Sequence, residues 1–190
     1  MKHDFKRTCP NAADLLGGVT TLGKFVRNAD KYSNHPKWLA RPRTSHEYKG
    51  MAFESLIEVL INYSPIDKRI NIGQYEPHND RTAQDWGIDG NGCSHNGNRH
   101  TVQCKFRSNP LYMLTANEDH ISNFVAHTLS KPGHAEADMT IFTTAAGLNQ
   151  STLDGMYHGK IKVLGFKELS KLVNGNRAFW NAFRSEMGVT

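Results

Sequence analysis

Two polar stretches of the sequence carry residue types that can perform hydrolytic chemistry. Asp89 lies in the first stretch, and Gln103 and Lys105 lie in the second. Apolar and polar residues alternate in both, so an acid, an amide and an amine are expected on one side of a two-stranded hairpin. Carboxylate and carbonyl oxygens bind hard cations such as Mg²⁺, and a nearby ammonium can hold a metal-bound water or stabilise phosphoryl charge. The sequence therefore predicts a divalent-metal site beside a lysine.

The register of this hairpin decides whether the three side chains meet. A two-residue Asn96-Gly97 turn would place Asp89 opposite Cys104, on the wrong side from Gln103. A three-residue loop, or a bulge, would place Asp89 opposite Gln103 instead. We favour the second register because it buries every apolar residue of the two strands on one side.

The preferred register has consequences for both sides of the hairpin. It also sets Gly87 opposite Lys105, where the missing side chain would leave space for a phosphate or an ion. The apolar side faces the core and is formed by Trp86, Ile88, Val102, Cys104 and Phe106. The other side gathers Asp85, Asp89, Asn91, Gln103 and Lys105.

A helix upstream of the hairpin supplies further carboxylates. Its apolar residues recur at the spacing of one buried helical stripe. They are Phe53, Leu56, Ile57, Leu60 and Ile61. Glu54 and Glu58 lie one turn apart on the same helix, so either can point toward the hairpin.

The downstream sequence predicts a mixed sheet with helices on both faces. Thr115 and Glu118 form a capping box ahead of a helical pattern that ends at Lys131-Pro132-Gly133. Strands are predicted over 139–144 and 160–164. Helices are predicted around 166–173 and 177–187.

The first part of the chain differs in composition from the rest. The sequence has 190 residues and a formal net charge of +5, which makes polyanionic partners plausible. Residues 1–44 contain scattered basic residues and prolines, with one amphipathic helix predicted roughly from Ala12 to Val26. We interpret 1–44 as a basic N-terminal extension, either packed or DNA-contacting, and 45–190 as the main domain.

Composition also bears on the compartment. No apolar run has the length of a membrane helix, and the N-terminus lacks the apolar region of an export signal. The three cysteines are an odd number in a chain large enough to fold without disulfides. A cytoplasmic protein that does not bind membranes is therefore expected.

Zinc binding is the other metal hypothesis, and the spacing argues against it. Cys93, His95 and His100 cluster around a polar hairpin loop, whereas Cys104 lies on the apolar side of its strand. Cys104 is better explained as a small core residue.

The combined motifs resemble the active-site signature of the PD-(D/E)xK nuclease superfamily, most closely its Mrr-like restriction endonuclease branch. The resemblance rests on Asp85-Trp86-Gly87-Ile88-Asp89-Gly90, Val102-Gln103-Cys104-Lys105-Phe106 and Gly50-Met51-Ala52-Phe53-Glu54. It implies that Asp89 is the metal-binding acid, Gln103 occupies the position of the second acid, Lys105 is the catalytic lysine and Glu54 is the helix carboxylate. No proline precedes Asp89, and Gln103 supplies no charge. Glu58 and Asp85 remain rivals for the helix and strand acids.

The resemblance implies a Mg²⁺-dependent DNA endonuclease, with Mn²⁺ able to substitute, on a restriction-endonuclease-like mixed sheet. The carbonyl of Cys104 would complete the metal site. A homodimer is expected, because cutting both strands of a duplex takes two sites. The alternative is a DNA-binding module on the same fold that has lost catalysis. Contacts to the DNA backbone are expected from Arg99, Arg107, Arg41 and Arg43.

Overall fold

A computed structural model describes residues 5–40, 43–63, 70–77, 87–117, 119–130, 136–149, 151 and 161–189. Its centre is a mixed sheet of five strands in the order β1-β2-β3-β5-β7. The first two pairings are antiparallel and the last two are parallel. The strands are β1 (Gly73–Pro77), β2 (Gly90–Cys93), β3 (Arg99–Lys105), β5 (Asp138–Thr143) and β7 (Ile161–Leu164). The predicted mixed α/β sheet is confirmed.

Two very short strands lie outside this sheet. β4 (Met113–Leu114) pairs in parallel with β6 (Gly147–Leu148). Neither these strands nor β1 was predicted from the sequence, because two-residue strands carry no period and the Gly and Pro at the ends of β1 disguise it.

The hairpin between β2 and β3 has the three-residue register. Gly90 pairs with Val102, whereas Asp89, which precedes β2, donates its N–H to the carbonyl of Val102. The amide of Ser94 donates to the carbonyl of Asn98 over 2.8 Å, leaving 95–97 as the loop. Gly97 takes φ = 87°, as expected for a turn followed by a left-handed residue. The preferred register is confirmed for Gly90–Cys93, but the expected meeting of Asp89 and Gln103 is wrong, because Asp89 lies on the α5 side of the sheet and Gln103 on the α6 side.

Helices cover both faces of the sheet. Helix α5 (Ser45–Tyr63) packs against β1 and β3, and it shares one apolar cluster with Val102 and Cys104. Helix α6 (Ile121–Ser130) packs on the opposite face in a second cluster. Successive residues of β3 therefore reach different helices, and both faces of the strand are buried.

This double covering corrects two expectations about the hairpin. Ile88 belongs to the second cluster, with Phe124 and Ile141, and does not share a face with Val102. Gln103, expected on an open polar side, is fully buried. The expectation of one apolar and one polar side fails because α6 occupies the side that we assigned to solvent.

The helix predictions are confirmed for α5, and for α7 (Phe166–Val173) and α8 (Arg177–Glu186). Helix α5 begins with an unpredicted capping box. The backbone N–H of Thr44 donates to Glu47 Oε2 over 2.6 Å, and the backbone N–H of Glu47 donates to Thr44 Oγ1.

The single helix predicted from Ala12 to Val26 is wrong. The segment forms α2 (Ala12–Leu16) and α3 (Leu22–Tyr32). Gly18, at φ = 59°, takes a left-handed conformation that ends the first helix, and Thr21 caps the second.

The predicted capping box before α6 is not how that helix begins. Glu118 lies outside the described residues, and α6 starts at Ile121. The amides of Ile121 and Ser122 instead donate to the carbonyl of Ala116.

The described part of residues 1–44 is built into the main core. The rings of Phe5 of α1 (Phe5–Thr8), Trp38 of α4 (Pro36–Leu39) and Tyr48 contact one another edge to face, with centroids 5.2 to 5.5 Å apart. Phe25 of α3 contacts Phe183 of α8. These helices pack as part of one layer with α5. None of the described helices combines the length and hydrophobicity that crossing a bilayer requires.

Candidate active site

Asp89 is held rigidly at the start of β2. Its backbone N–H donates to the carbonyl of Val102 over 2.8 Å. Its Oδ2 accepts the backbone N–H of Cys104 over 2.7 Å. A carboxylate that accepts a backbone N–H has its orientation fixed.

Asp89 lines a small pocket together with both candidate acids of α5. Glu54 and Glu58 reach it because residues four apart share one face of a helix. Tyr75 and Pro77 of β1 close another side. The pocket has a volume of about 10 Å³, which is about the smallest cavity that can hold one water. It can accept a small ion but not a substrate group.

Tyr75 reports the electrostatic character of this pocket. Burial raises its pKa well above the ordinary value. Electrostatic interactions with Cys104 and with the carboxyl groups of Asp89, Glu54 and Glu58 raise this pKa further, in that order. Ionising Tyr75 would add another anion to these groups, so the phenol stays neutral and can donate a hydrogen bond.

Glu58 has a cationic partner from the first helix. Lys6 Nζ lies 2.9 Å from Glu58 Oε1, and both side chains are only 15% exposed. The same ammonium lies 3.3 Å from Glu186 of α8. Glu58 is thereby tied to α1 and α8, which makes Glu54 the better candidate for the helix acid.

Gln103 is not brought into this pocket. Thr101, two residues earlier on β3, bonds Thr128 of α6, so this side of the strand faces away from α5. Within the described part of the chain, neither Nε2 nor Oε1 of the fully buried Gln103 has a hydrogen-bond partner. A Cβ added at Gly87 would lie 2.4 Å from that Nε2. The space expected above Gly87 is thus filled by the amide of Gln103.

Lys105 adjoins a larger cleft on the side of α5, but by the alternation of β3 its side chain leaves the strand on the same side as that of Gln103. The cleft has a volume of about 480 Å³ and is lined from β3 by Cys104 and Lys105. His46, Lys49 and Gly50 of α5 line it from the other side. The cleft adjoins the acidic pocket, because the Cys104 that lines it also donates its N–H to Asp89.

The arginines expected to contact DNA lie in diverse environments. Arg107 pairs with Asp119, which is fully buried, and the guanidinium of Arg43 stacks 4.7 Å from the centroid of the Trp38 ring. Arg99 is exposed at the hairpin end of β3, about 20 Å from Lys105 by the rise of a strand. Arg41, like the rival acid Asp85, lies outside the described residues. Of the three of these arginines within the described residues, Arg107 alone lines the cleft.

No ready-made metal centre is present among the described residues, where no group of three His, Cys, Asp or Glu side chains could hold a metal ion. The acids of the pocket are neighbours that do not converge on one point. Their oxygen donors are nevertheless the type that Mg²⁺ prefers. The residues imagined as zinc ligands are dispersed, since Cys93 is exposed and Cys104 is packed in the core.

Sequence reasoning missed the parts of the site that have no motif. Tyr75 lies on the unpredicted β1, and His46 and Lys49 lie on the polar side of α5, where such residues are common in any helix. The only signal for His46 and Lys49 is that they precede Glu54 on the helix that carries it. The chain matches no family model, no curated protein and no solved structure.

Proposed function

We propose that this protein is a Mg²⁺-dependent endonuclease that hydrolyses phosphodiester bonds in DNA on a restriction-endonuclease-like fold. A helix carrying Glu54, a hairpin carrying Asp89 and Lys105, a second helix and a parallel strand follow each other in the order that the resemblance implies. The net charge of +5 agrees with a polyanionic substrate.

One observation carries the proposal. Asp89 from the start of β2 and Glu54 from α5 line a single ion-sized pocket, and the cleft with Lys105 adjoins it. These residues are distant in sequence, so their meeting depends on the hairpin register and on the packing of α5. A pocket of carboxylates beside a basic cleft suits a cation that must meet a phosphate.

Each side chain has a definite part in this proposal. Mg²⁺ bound by Asp89 and Glu54 would lower the pKa of a water and offset the charge of the phosphate. The N–H of Cys104 keeps Asp89 oriented, as outer partners of metal ligands do. Lys105 attracts the phosphate and positions the attacking water. That the carbonyl of Cys104 is a further ligand of the metal stays a prediction.

The position of Gln103 favours the alternative function. A buried amide that faces α6 supplies no ligand to the acidic pocket, so the ligand set is poorer than the resemblance implies. A module that binds DNA without cutting it would tolerate this arrangement. Cleavage of both strands by the proposed enzyme would additionally require a dimer.

Cleavage of supercoiled plasmid tests the proposal directly. Wild type should nick or linearise the plasmid with Mg²⁺ and should not do so in EDTA. Asp89→Asn, which keeps an acceptor for the Cys104 N–H, and Lys105→Met should each lower the rate by about 100-fold or more. Lys171→Met, an exposed charge change on α7, is the matched control and should cut normally. Undiminished cutting by either site variant overturns the residue assignment, and DNA binding without cutting by wild type supports the alternative.

Metal binding provides a readout that does not depend on cleavage. In calorimetric titrations with Mn²⁺, Glu54→Gln should weaken binding by about 10- to 100-fold. Glu58→Gln should have a much smaller effect, because the carboxylate of Glu58 is already paired with Lys6. Equal losses in the two variants would show that the pocket does not distinguish the two acids as proposed.

A further inference from the structure

We propose that His46 and Lys49 of α5 bind the phosphate backbone of a nucleic acid in the cleft beside Lys105, and that Asp30 weakens this binding. The inference rests on the proposed function only for the identity of the ligand. We call the space lined by His46, Lys49, Gly50, Lys105 and Arg107 the basic cleft.

The charge and size of the basic cleft fit a phosphodiester. Three of its lining residues are Lys or Arg, of which Arg107 is paired with Asp119, and none of the described residues that line it is acidic. Its volume of about 480 Å³ lies within the range of ligand sites. The wall formed by α5 is open at Gly50, where an added Cβ would meet nothing within 4 Å. A strand of nucleic acid can therefore approach this wall.

Lys49 is held in place before any ligand arrives. Its Nζ lies 3.2 Å from Asp30 Oδ1 and 5.7 Å from the centroid of the Phe106 ring. The side chain is 17% exposed, so its ammonium is partly fixed by contacts on two sides. A lysine that is already ordered loses less side-chain entropy when it binds a phosphate.

Asp30 is the residue that opposes phosphate binding. It reaches the edge of the basic cleft from α3 and accepts a hydrogen bond from Ser108 Oγ over 2.6 Å as well as the contact from Lys49. Its negative charge offsets the charge of Lys49 and repels a phosphate. Removing this charge should strengthen binding, an outcome that damage to the fold would not produce.

The position of the basic cleft links binding to the acidic pocket. Cys104 lines the cleft and donates its N–H to Asp89, and Gly50 and Met51 are consecutive residues of α5 that line the two sites. A phosphodiester held by Lys49 and His46 would therefore extend toward the acids. We assign the binding of the backbone to α5, a helix that the arginine-based expectation did not include.

The test measures the affinity for a short fluorescein-labelled DNA duplex by anisotropy in EDTA. Lys49→Met should weaken binding about 5-fold or more and should lower the slope of log affinity against log salt by about 1. His46→Ala should weaken binding in the same direction. Asp30→Asn should tighten binding about 3-fold or more, and Asp30→Glu should bind like wild type. Lys171→Met is the matched charge control, and thermal melts followed by circular dichroism check folding.

The outcomes separate this inference from the proposed function. The inference is overturned if Lys49→Met binds the duplex as tightly as Lys171→Met does. It is also overturned if Asp30→Asn binds the duplex no more tightly than wild type. Either result counts even if wild type cuts plasmid. If the variants change DNA affinity as expected but wild type never cuts plasmid, the inference stands and the proposed nuclease activity is rejected.

Discussion

At the scale of single residues, His100 is a buried polar group outside the site with a hydrogen-bond partner at each ring nitrogen. Ser94 Oγ donates to Asp138 Oδ2 over 2.5 Å, so its lone pair must accept the Nδ1–H of His100, 2.9 Å away. Nε2 of His100 lies 2.8 Å from Thr140 Oγ1 and accepts its proton. These hydrogen bonds satisfy both ring nitrogens of the neutral imidazole.

The same residue predicts how stability depends on pH. The pKa of His100 is lowered from 6.5 to about 4, chiefly by burial; Asp138 opposes this shift and Lys162 adds to it. Between these two values the unfolded chain binds the proton and the folded chain does not, so stability falls as pH drops through this window. The loss from this group should reach about 3 kcal/mol. Urea denaturation across the window should show it.

His100→Asn supplies the comparison for this prediction. The variant lacks the titrating group, so its stability should change less with pH than that of wild type over the same range. Parallel pH profiles for the two proteins would contradict the role assigned to His100.

At the scale of elements, the sequence predicts helices and turns that have a clear periodic or turn pattern. It does not predict which residues are buried when helices cover both faces of a strand. The stripe on α5 and the three-residue loop of the β2–β3 hairpin followed from spacing and turn chemistry. The face of Gln103 did not, because alternation in one strand cannot show whether a helix covers its polar side. Asp89 and Glu54 could be predicted as partners, whereas Tyr75 could not, since β1 lacks a recognisable strand pattern.

Two glycines of the hairpin give a matched test of this packing. Both Gly87 and Gly97 have positive φ, at 80° and 87°, so alanine at either should cost about 1 to 2 kcal/mol of stability. Only at Gly87 would the new Cβ meet Gln103, whereas at Gly97 it meets nothing within 4 Å. Gly87→Ala should therefore destabilise the protein by about 1 to 3 kcal/mol more. Urea denaturation measures both.

A double variant locates the cause of this difference. In a Gln103→Ala background the additional loss at Gly87 should largely disappear, because the clashing amide is gone. A Gly87→Ala variant that is no less stable than Gly97→Ala would show that Gln103 does not fill the space above Gly87.

At the scale of the whole molecule, the described helices before residue 41 belong to the main core. Phe5, Phe25 and Trp38 are fully or almost fully buried within the same cluster as α5 and α8. Composition alone suggested an extension, because its basic residues and prolines hide the buried aromatic ones. The aromatic residues, and not the charges, determine how this segment packs.

Removing the first 40 residues should therefore prevent stable folding. Each buried aromatic ring typically contributes about 3 to 5 kcal/mol, so three losses are comparable to the whole stability of an ordinary domain. The truncated chain should lack a cooperative thermal transition by circular dichroism. A shortened protein that melts cooperatively near the wild-type temperature would show that 1–40 is an independent extension.

The contact between Phe25 and Phe183 has a consequence during synthesis. Helix α3 leaves the ribosome before the strands of the sheet, and its partner α8 follows only after the whole sheet has been translated. Until then the apolar side of α3 lies exposed on the nascent chain, where chaperones can capture it. Translation must deliver α8 before this side of α3 can be buried.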